Sequence, residues 1–130
     1  MNVLKLVLLS CIIVSCGCTK NKDGKPKVIE ATNLSGKELF MKKACVSCHT
    51  VDGNRKIGPS MKGIWGKEVE LADGRKILRD KKYMRASILN IKQYDIKGYP
   101  NGVMPVYEGR IAERDLDELV KYIESLAEVK

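Results

Sequence analysis

The sequence predicts a small all-α domain, with three to four helices packed around a bound group. Its last segment places apolar residues at about 3.6-residue spacing, with charged residues on the other face. Large apolar side chains are scarce, since aromatic residues make up only 5% of the 130-residue chain. One domain of this size with so thin a core needs further buried material, such as a metal or a cofactor.

The first helix of the domain has a clear start signal. Ser35 and Glu38 have the S-x-x-E spacing of a capping box, which satisfies free amide groups at a helix start. We expect this short helix to run towards Cys45. Glycines recur through residues 50–66 together with Pro59, so that stretch is expected to be loop.

The middle of the domain alternates between short elements and loops. Residues 69–77 place Asp73-Gly74 between two β-like runs, which predicts a short hairpin. Residues 81–90 carry apolar residues on one face and are expected to form a helix. Residues 98–109 contain two prolines and three glycines, so a loop is expected before the final helix.

The final helix lacks the usual cap. Apolar residues recur from Ala112 to Ala127 with helical spacing, but Ala112 offers no side-chain oxygen to the first amide groups. Glu113 and Asp115 are therefore expected to stabilise the helix start through its dipole.

The amino-terminal segment has the features of an export signal. An apolar run over residues 6–14 follows Lys5 and is too short to span a bilayer, which takes about 20 residues. Ile13-Val14-Ser15-Cys16 resembles a bacterial lipobox, which predicts cleavage before Cys16 and lipidation of its thiol. Plain secretion and a buried core helix are the alternatives.

These features predict three segments. Residues 1–15 are a lipoprotein signal peptide, residues 16–33 a polar, lysine-rich, lipid-anchored flexible tether, and residues 34–130 the folded domain. The protein is accordingly expected to be exported and lipid-anchored to a bacterial membrane, facing the periplasm or the outer surface.

The stretch Cys45-Val46-Ser47-Cys48-His49 contains the one histidine of the chain. A zinc site would need further ligands that the sequence hardly offers, and a thioredoxin-type redox pair needs a βαβ setting that is lacking. The third interpretation is covalent haem attachment, in which two thiols add to the vinyl groups and the next residue, His49, becomes the proximal iron ligand. Export favours this interpretation.

Five stretches in order make a resemblance specific. Over about residues 34–127 the chain resembles a class I monohaem cytochrome c, and it is most similar to the cytochrome c domain fused to subunit II of some bacterial cytochrome oxidases. The stretches are GKELFMKKACVSCHTVDG, IGPSMKGIWGKEVELADGR, YMRASILN, GYPNGVMP and LDELVKYIESL. That oxidase subunit also carries copper-binding and transmembrane portions, which this sequence lacks. It is therefore expected to be a free-standing lipoprotein.

The resemblance implies one covalent haem c and a set of supporting residues. By this match the Pro59 carbonyl accepts from the second N–H of the proximal imidazole, which fixes the ring and raises its basicity. Trp65 resembles the indole that donates to a buried haem propionate, with simple packing as the alternative. Gly36 and Phe40 resemble the contact of the first helix with the last.

The candidates for the sixth iron ligand, on the distal side of the haem, are methionines. Met104 is the expected ligand, because it lies in a Pro- and Gly-constrained loop and matches the V-M-P segment of the family. Met61 and Met84 are alternatives, whereas Met41 lies too close to the attachment site.

The resemblance further implies an electron carrier and not an enzyme. Its expected partners are redox proteins, namely an oxidase or a reductase and an upstream quinol-oxidising complex, besides the membrane itself.

The chain carries an excess of positive charge, with 24 Lys+Arg against 16 Asp+Glu, which would steer the protein towards acidic partners. The candidate docking residues are Lys42, Lys43 and Lys56. A gas-binding sensor with an open sixth site and a dedicated donor to a periplasmic reductase remain alternatives, whereas nucleic-acid binding is not expected.

Overall fold

A computed structural model describes residues 29–127. In chain order its elements are α1 (Gly36–Lys42), a first 3₁₀ turn (Cys45–Ser47), β1 (Glu68–Glu70), β2 (Lys76–Leu78), α2 (Lys81–Asn90), a second 3₁₀ turn (Ile91–Gln93) and α3 (Glu113–Ser125). The predicted three helices and short hairpin are confirmed. The predicted signal peptide, Cys16 and the predicted tether up to residue 28 lie outside the described residues. Within residues 29–127, no helix has both the length and the apolar character needed to cross a membrane.

The capping box at the start of α1 is formed as predicted. The Ser35 amide donates to the Glu38 carboxylate at 2.8 Å, and the Glu38 amide donates to the Ser35 hydroxyl at 3.4 Å. The helix is only seven residues long, so these bonds and its packing stabilise it more than its own propensity does.

Helices α1 and α3 cross in close contact. A Cβ atom placed on Gly36 would lie 2.1 Å from the Glu118 carbonyl oxygen and 2.6 Å from the Tyr122 Cβ. Next to this crossing the Phe40 and Tyr122 rings meet edge to face, with centroids 5.7 Å apart. Such an aromatic pair contributes about 0.5–1.5 kcal/mol beyond its buried area. The predicted contact between the first and last helices is confirmed.

Residues just before the domain are docked on the start of α3. The Asp115 carboxylate is only 2% exposed and accepts hydrogen bonds from the amide and the hydroxyl of Thr32, at 2.9 and 3.1 Å. Arg114 donates to the side-chain oxygen of Asn33 at 3.1 Å. Ala112 gives no side-chain cap, as expected. Asp115 therefore stabilises this end of the fold also by binding the incoming chain.

The hairpin fixes the start of the long loop that precedes α3. Strands β1 and β2 are antiparallel with Val69 opposite Ile77, and Gly74 provides the positive φ of 86° that the turn requires. The Lys97 amide donates to the Glu70 carbonyl at 3.1 Å, which ties the loop to β1.

Candidate cofactor site

An apolar cavity opens between the Cys45–His49 segment, helix α2 and the loop that precedes α3. Its volume is about 1170 Å³ including the open mouth. The lining is mainly apolar and comes from all three helices and the loops between them, including Phe40 of α1 and Leu119 of α3. A cavity of this size and polarity is suited to a large, flat, mainly apolar group.

The C-x-x-C-H segment forms one wall of this cavity. Ala44 adopts a left-handed conformation with φ of 58°, which ends α1 and redirects the chain. The carbonyl of Cys45 then accepts from the amides of Cys48 and His49 at 3.2 and 2.9 Å. This tight turn places both thiols and the imidazole on the cavity lining. The thiols are half-buried and not paired with each other, and burial raises the pKa of Cys45.

The His49 ring has a fixed orientation. Its Nδ1 lies 2.8 Å from the Pro59 carbonyl oxygen, as the resemblance predicts. Because a carbonyl oxygen can only accept, Nδ1 donates and Nε2 keeps its lone pair. Burial lowers the pKa of the imidazole, while the bond to Pro59 opposes this shift. The ring is therefore neutral near pH 7 and can act as a metal ligand through Nε2.

A glycine leaves the space in which this ring sits. A Cβ atom on Gly58 would lie 2.3 Å from the His49 Cε1 and 2.6 Å from Nδ1, far inside contact distance. The Gly58 amide donates to the Cys48 carbonyl at 2.9 Å, which holds the loop against the attachment segment. Gly58 is thus needed for the imidazole position, a role that the sequence did not reveal.

Three of the methionines considered line the cavity. They are Met61, Met84 and Met104, whereas Met41 is 59% exposed on α1. Position on the cavity lining therefore excludes only Met41 as an iron ligand and does not distinguish among the other three methionines.

The loop that carries Met104 is anchored at its far end by Tyr107. The Tyr107 amide donates to the Leu89 carbonyl at 2.9 Å, and its hydroxyl donates to the Lys43 carbonyl at 2.8 Å. Tyr107 thereby joins this loop to the ends of α2 and α1. This role of Tyr107 was not predicted from the sequence, although an aromatic residue three positions after Met104 was a visible signal.

Two further side chains, Trp65 and Ser87, bear on how a bound group would be held. Trp65 is half-buried against the core and is not among the cavity-lining residues of the described chain, so its contact with a propionate stays a prediction. The Ser87 hydroxyl lines the cavity, is buried, and has no hydrogen-bond partner among the described residues. A bound group would be positioned to supply that partner.

Comparison with known proteins identifies the family. Residues 34–127 match the family model described as Cytochrome c. The chain belongs to the cytochrome c family.

A sequence relative and a solved structure agree with this assignment. Cytochrome c of Gibberella zeae is 46% identical over 41 residues, which cover 30% of this chain and 38% of that protein. The chain thus matches well under half of that relative's length. The structure of cytochrome cH from Methylobacterium extorquens covers 69% of this chain and 94% of its own, with a TM-score of 0.50 and 18% identity. That likeness shows the same fold.

The residues of the cavity fit the cofactor of the family. Cytochromes c bind one haem c covalently, and here Cys45 and Cys48 supply the two thiols. The apolar lining and the free lone pair of His49 Nε2 are both consistent with a bound macrocycle. Residues 34–127 therefore form a cytochrome c domain with the attachment residues for its cofactor.

Substituting Gly58 by alanine is expected to displace the His49 ring. The added Cβ would overlap the imidazole, and overpacking of this kind costs about 1–3 kcal/mol of the free energy of unfolding. We also expect a loss of low-spin character in the absorption spectrum. Urea unfolding and the visible spectrum of the holoprotein measure the two effects. Gly53→Ala is the control, because it strains a positive φ but meets no atom within 4 Å, and it should leave the spectrum unchanged.

Proposed function

We propose that this cytochrome c is a membrane-anchored carrier of single electrons between respiratory-chain components, with a terminal oxidase as acceptor. The observation that carries the proposal is the cavity itself. It brings together the two thiols, an imidazole with a free nitrogen and a methionine on a separate loop. Haem iron supplies one-electron redox chemistry when it is bound in such a site.

His49 is the proposed proximal ligand. Its Nε2 keeps the lone pair, since Nδ1 is engaged by the Pro59 carbonyl. The neutral, buried imidazole needs no deprotonation before it binds a metal. The bond to Pro59 supports this role by fixing the ring plane and increasing the electron density at Nε2.

Met104 is the proposed sixth ligand, in preference to the two other lining methionines. The Met61 amide donates to the Thr50 carbonyl at 2.8 Å, so its backbone is tied to the residue that follows His49. Met84 is only 4% exposed on α2, where it belongs to the hydrophobic core cluster. Met104 is half-buried on a loop that is anchored at both ends, and it is not among the described side chains that pack against the core cluster. If His49 and Met104 hold the iron, the protein would exchange electrons without binding a substrate.

A gas-binding sensor is the competing function, and carbon monoxide distinguishes the two. We expect the reduced holoprotein to give a low-spin c-type spectrum that carbon monoxide does not change, and the oxidised protein to show the far-red band of methionine ligation. A reduced wild-type protein that binds carbon monoxide readily would instead establish an open sixth site and a sensor function.

The proposed membrane anchor is the lipidated Cys16. Support comes from the lipobox-like Ile13-Val14-Ser15-Cys16 and the short apolar run before it. Changing Cys16 to alanine is expected to move the holoprotein from the membrane fraction to the soluble exported fraction, because the acyl chains provide the binding energy. The control is Cys18→Ala, which should remain in the membrane fraction. Equal partitioning of the two variants would contradict anchoring at Cys16.

Electrostatic steering is the proposed means of partner recognition. Lys42 and Lys56 are exposed, and Lys43 lines the cavity near the attachment segment. We expect electron transfer to a terminal oxidase to slow several-fold as ionic strength rises, because salt screens attraction between unlike charges. Stopped-flow oxidation of the reduced protein measures the rate. A rate independent of salt would contradict steering.

The choice of oxidase rests on the resemblance to the oxidase-fused cytochrome c domain. The same stopped-flow assay can be run with membranes in which a terminal oxidase is selectively inhibited. If oxidation continues unchanged and requires a periplasmic reductase, the protein is a dedicated donor to that reductase.

A further inference from the structure

The segment that carries Met104 is fixed at its two ends and free between them. The hairpin and Tyr107 provide the end anchors, through Lys97 and the carbonyls of Leu89 and Lys43. Between these anchors the backbone forms only a local turn at residues 101–102, and among residues 29–127 no backbone–backbone hydrogen bond ties positions 100–106 to another segment. The position of Met104 within the cavity therefore depends on side-chain contacts that hold this segment closed.

One exposed residue makes such a contact from the other side of the cavity. The Arg55 guanidinium carbon lies 4.2 Å from the centroid of the Tyr99 ring, and the same guanidinium donates to the Gly98 carbonyl. Arg55 belongs to the loop that carries Gly58 and Pro59, which hold the His49 ring. Tyr99 lines the cavity and lies five positions before Met104. The pair therefore connects the loop that holds the His49 ring in place with the loop that carries Met104.

We propose that Arg55 and Tyr99 form a latch that keeps the Met104 loop closed over the bound haem, so that Arg55 is a positioning residue for the sixth ligand. The inference rests on the proposed ligation by Met104. Arginine suits the task because its planar guanidinium stacks on an aromatic ring and donates to a carbonyl at the same time. Since Arg55 is exposed, the latch contributes to loop closure and little to the core.

Binding of imidazole to the oxidised holoprotein measures how readily the loop opens. Imidazole can bind only when the methionine is displaced, so its apparent affinity reports the open fraction. We expect Arg55→Gln to raise that affinity by about 3- to 10-fold, from the loss of an exposed cation–π contact and a charged hydrogen bond, and Tyr99→Leu to raise it by about 2- to 5-fold, from the loss of the cation–π contact alone. Tyr99→Phe retains the ring and is expected to stay within about 2-fold of wild type.

The controls separate a latch from a general loss of stability or charge. Arg75→Gln removes an equally exposed arginine that pairs with Asp73 in the hairpin, and it should not change imidazole affinity. The Arg55→Gln/Tyr99→Leu double variant should bind imidazole about as well as Arg55→Gln alone, because Arg55→Gln already removes the ring contact that Tyr99→Leu removes. Thermal unfolding of the variants shows whether the fold is intact.

The outcomes distinguish the latch from the ligand assignment. If wild type shows the far-red methionine band and binds imidazole weakly, but Arg55→Gln is unchanged, the latch is wrong and Met104 ligation stands. An effect of Tyr99→Phe as large as that of Tyr99→Leu, or fully additive single effects, would also overturn the latch. If wild type binds imidazole as well as Met104→Ala does, both the ligand assignment and the latch are wrong.

Discussion

Replacing Met104 by alanine is expected to open the sixth coordination position and let carbon monoxide bind the reduced protein stoichiometrically. Alanine has no sulfur and leaves space in the cavity where the thioether lay. The far-red band of the oxidised protein should disappear. The midpoint potential should fall by a fraction of the roughly 0.8 V that axial ligation spans, since a thioether favours the ferrous state. Absorption spectroscopy with and without carbon monoxide, followed by a redox titration, measures these changes.

Two matched variants make this test specific to Met104. Met61→Leu and Met84→Leu remove a thioether from the same cavity while keeping side-chain volume, which usually costs less than about 1.5 kcal/mol in a core. Both variants should keep the far-red band and exclude carbon monoxide. Loss of the band in either variant, together with its persistence in Met104→Ala, would assign the sixth ligand to a different methionine.

Replacing Gly36 by alanine is expected to lower the free energy of unfolding by about 2–3 kcal/mol, at the upper end of the range for overpacking. In an isolated helix the same change would be favourable by about 1 kcal/mol. Here the new Cβ would lie 2.1 Å from the Glu118 carbonyl oxygen, a backbone atom that no rotamer change can move away. Helices α1 and α3 therefore have to separate. Urea unfolding of the holoprotein, followed by circular dichroism, measures the loss.

The neighbouring exposed position provides the control. Lys37→Ala alters the same helix without adding atoms towards α3, and we expect it to stay within about 0.5 kcal/mol of wild type. A Gly36→Ala protein as stable as the Lys37→Ala protein would show that the crossing of α1 and α3 can widen without cost. The close approach would then have no energetic role.

The sequence predicted those features that depend on local chemistry. The capping box at Ser35, the hairpin at Asp73-Gly74 and the helix over 81–90 each follow from residues close together in the chain, and each is confirmed. The haem attachment motif is equally local. The bond between His49 and Pro59 spans only ten positions, and the family resemblance predicted it.

Other parts of the site could not be predicted from local patterns. The docking of Thr32 on Asp115 joins residues 83 positions apart, and Tyr107 reaches Lys43 across 64 positions. The contact of Arg55 with Gly98 and Tyr99 likewise joins two loops far apart in sequence. No periodicity or spacing encodes these partners, because they depend on how the helices bring distant loops together.

The sequence by itself determined the cofactor class and the attachment residues, since C-x-x-C-H places two thiols and an imidazole within five consecutive positions. It also determined the start of α1 and the span of α2, because the capping box and the apolar spacing are local signals. The tertiary structure decided which methionines reach the cavity and why Gly36 and Gly58 have to lack a side chain. Those facts depend on distances between separate segments, and only packing of the whole chain sets such distances.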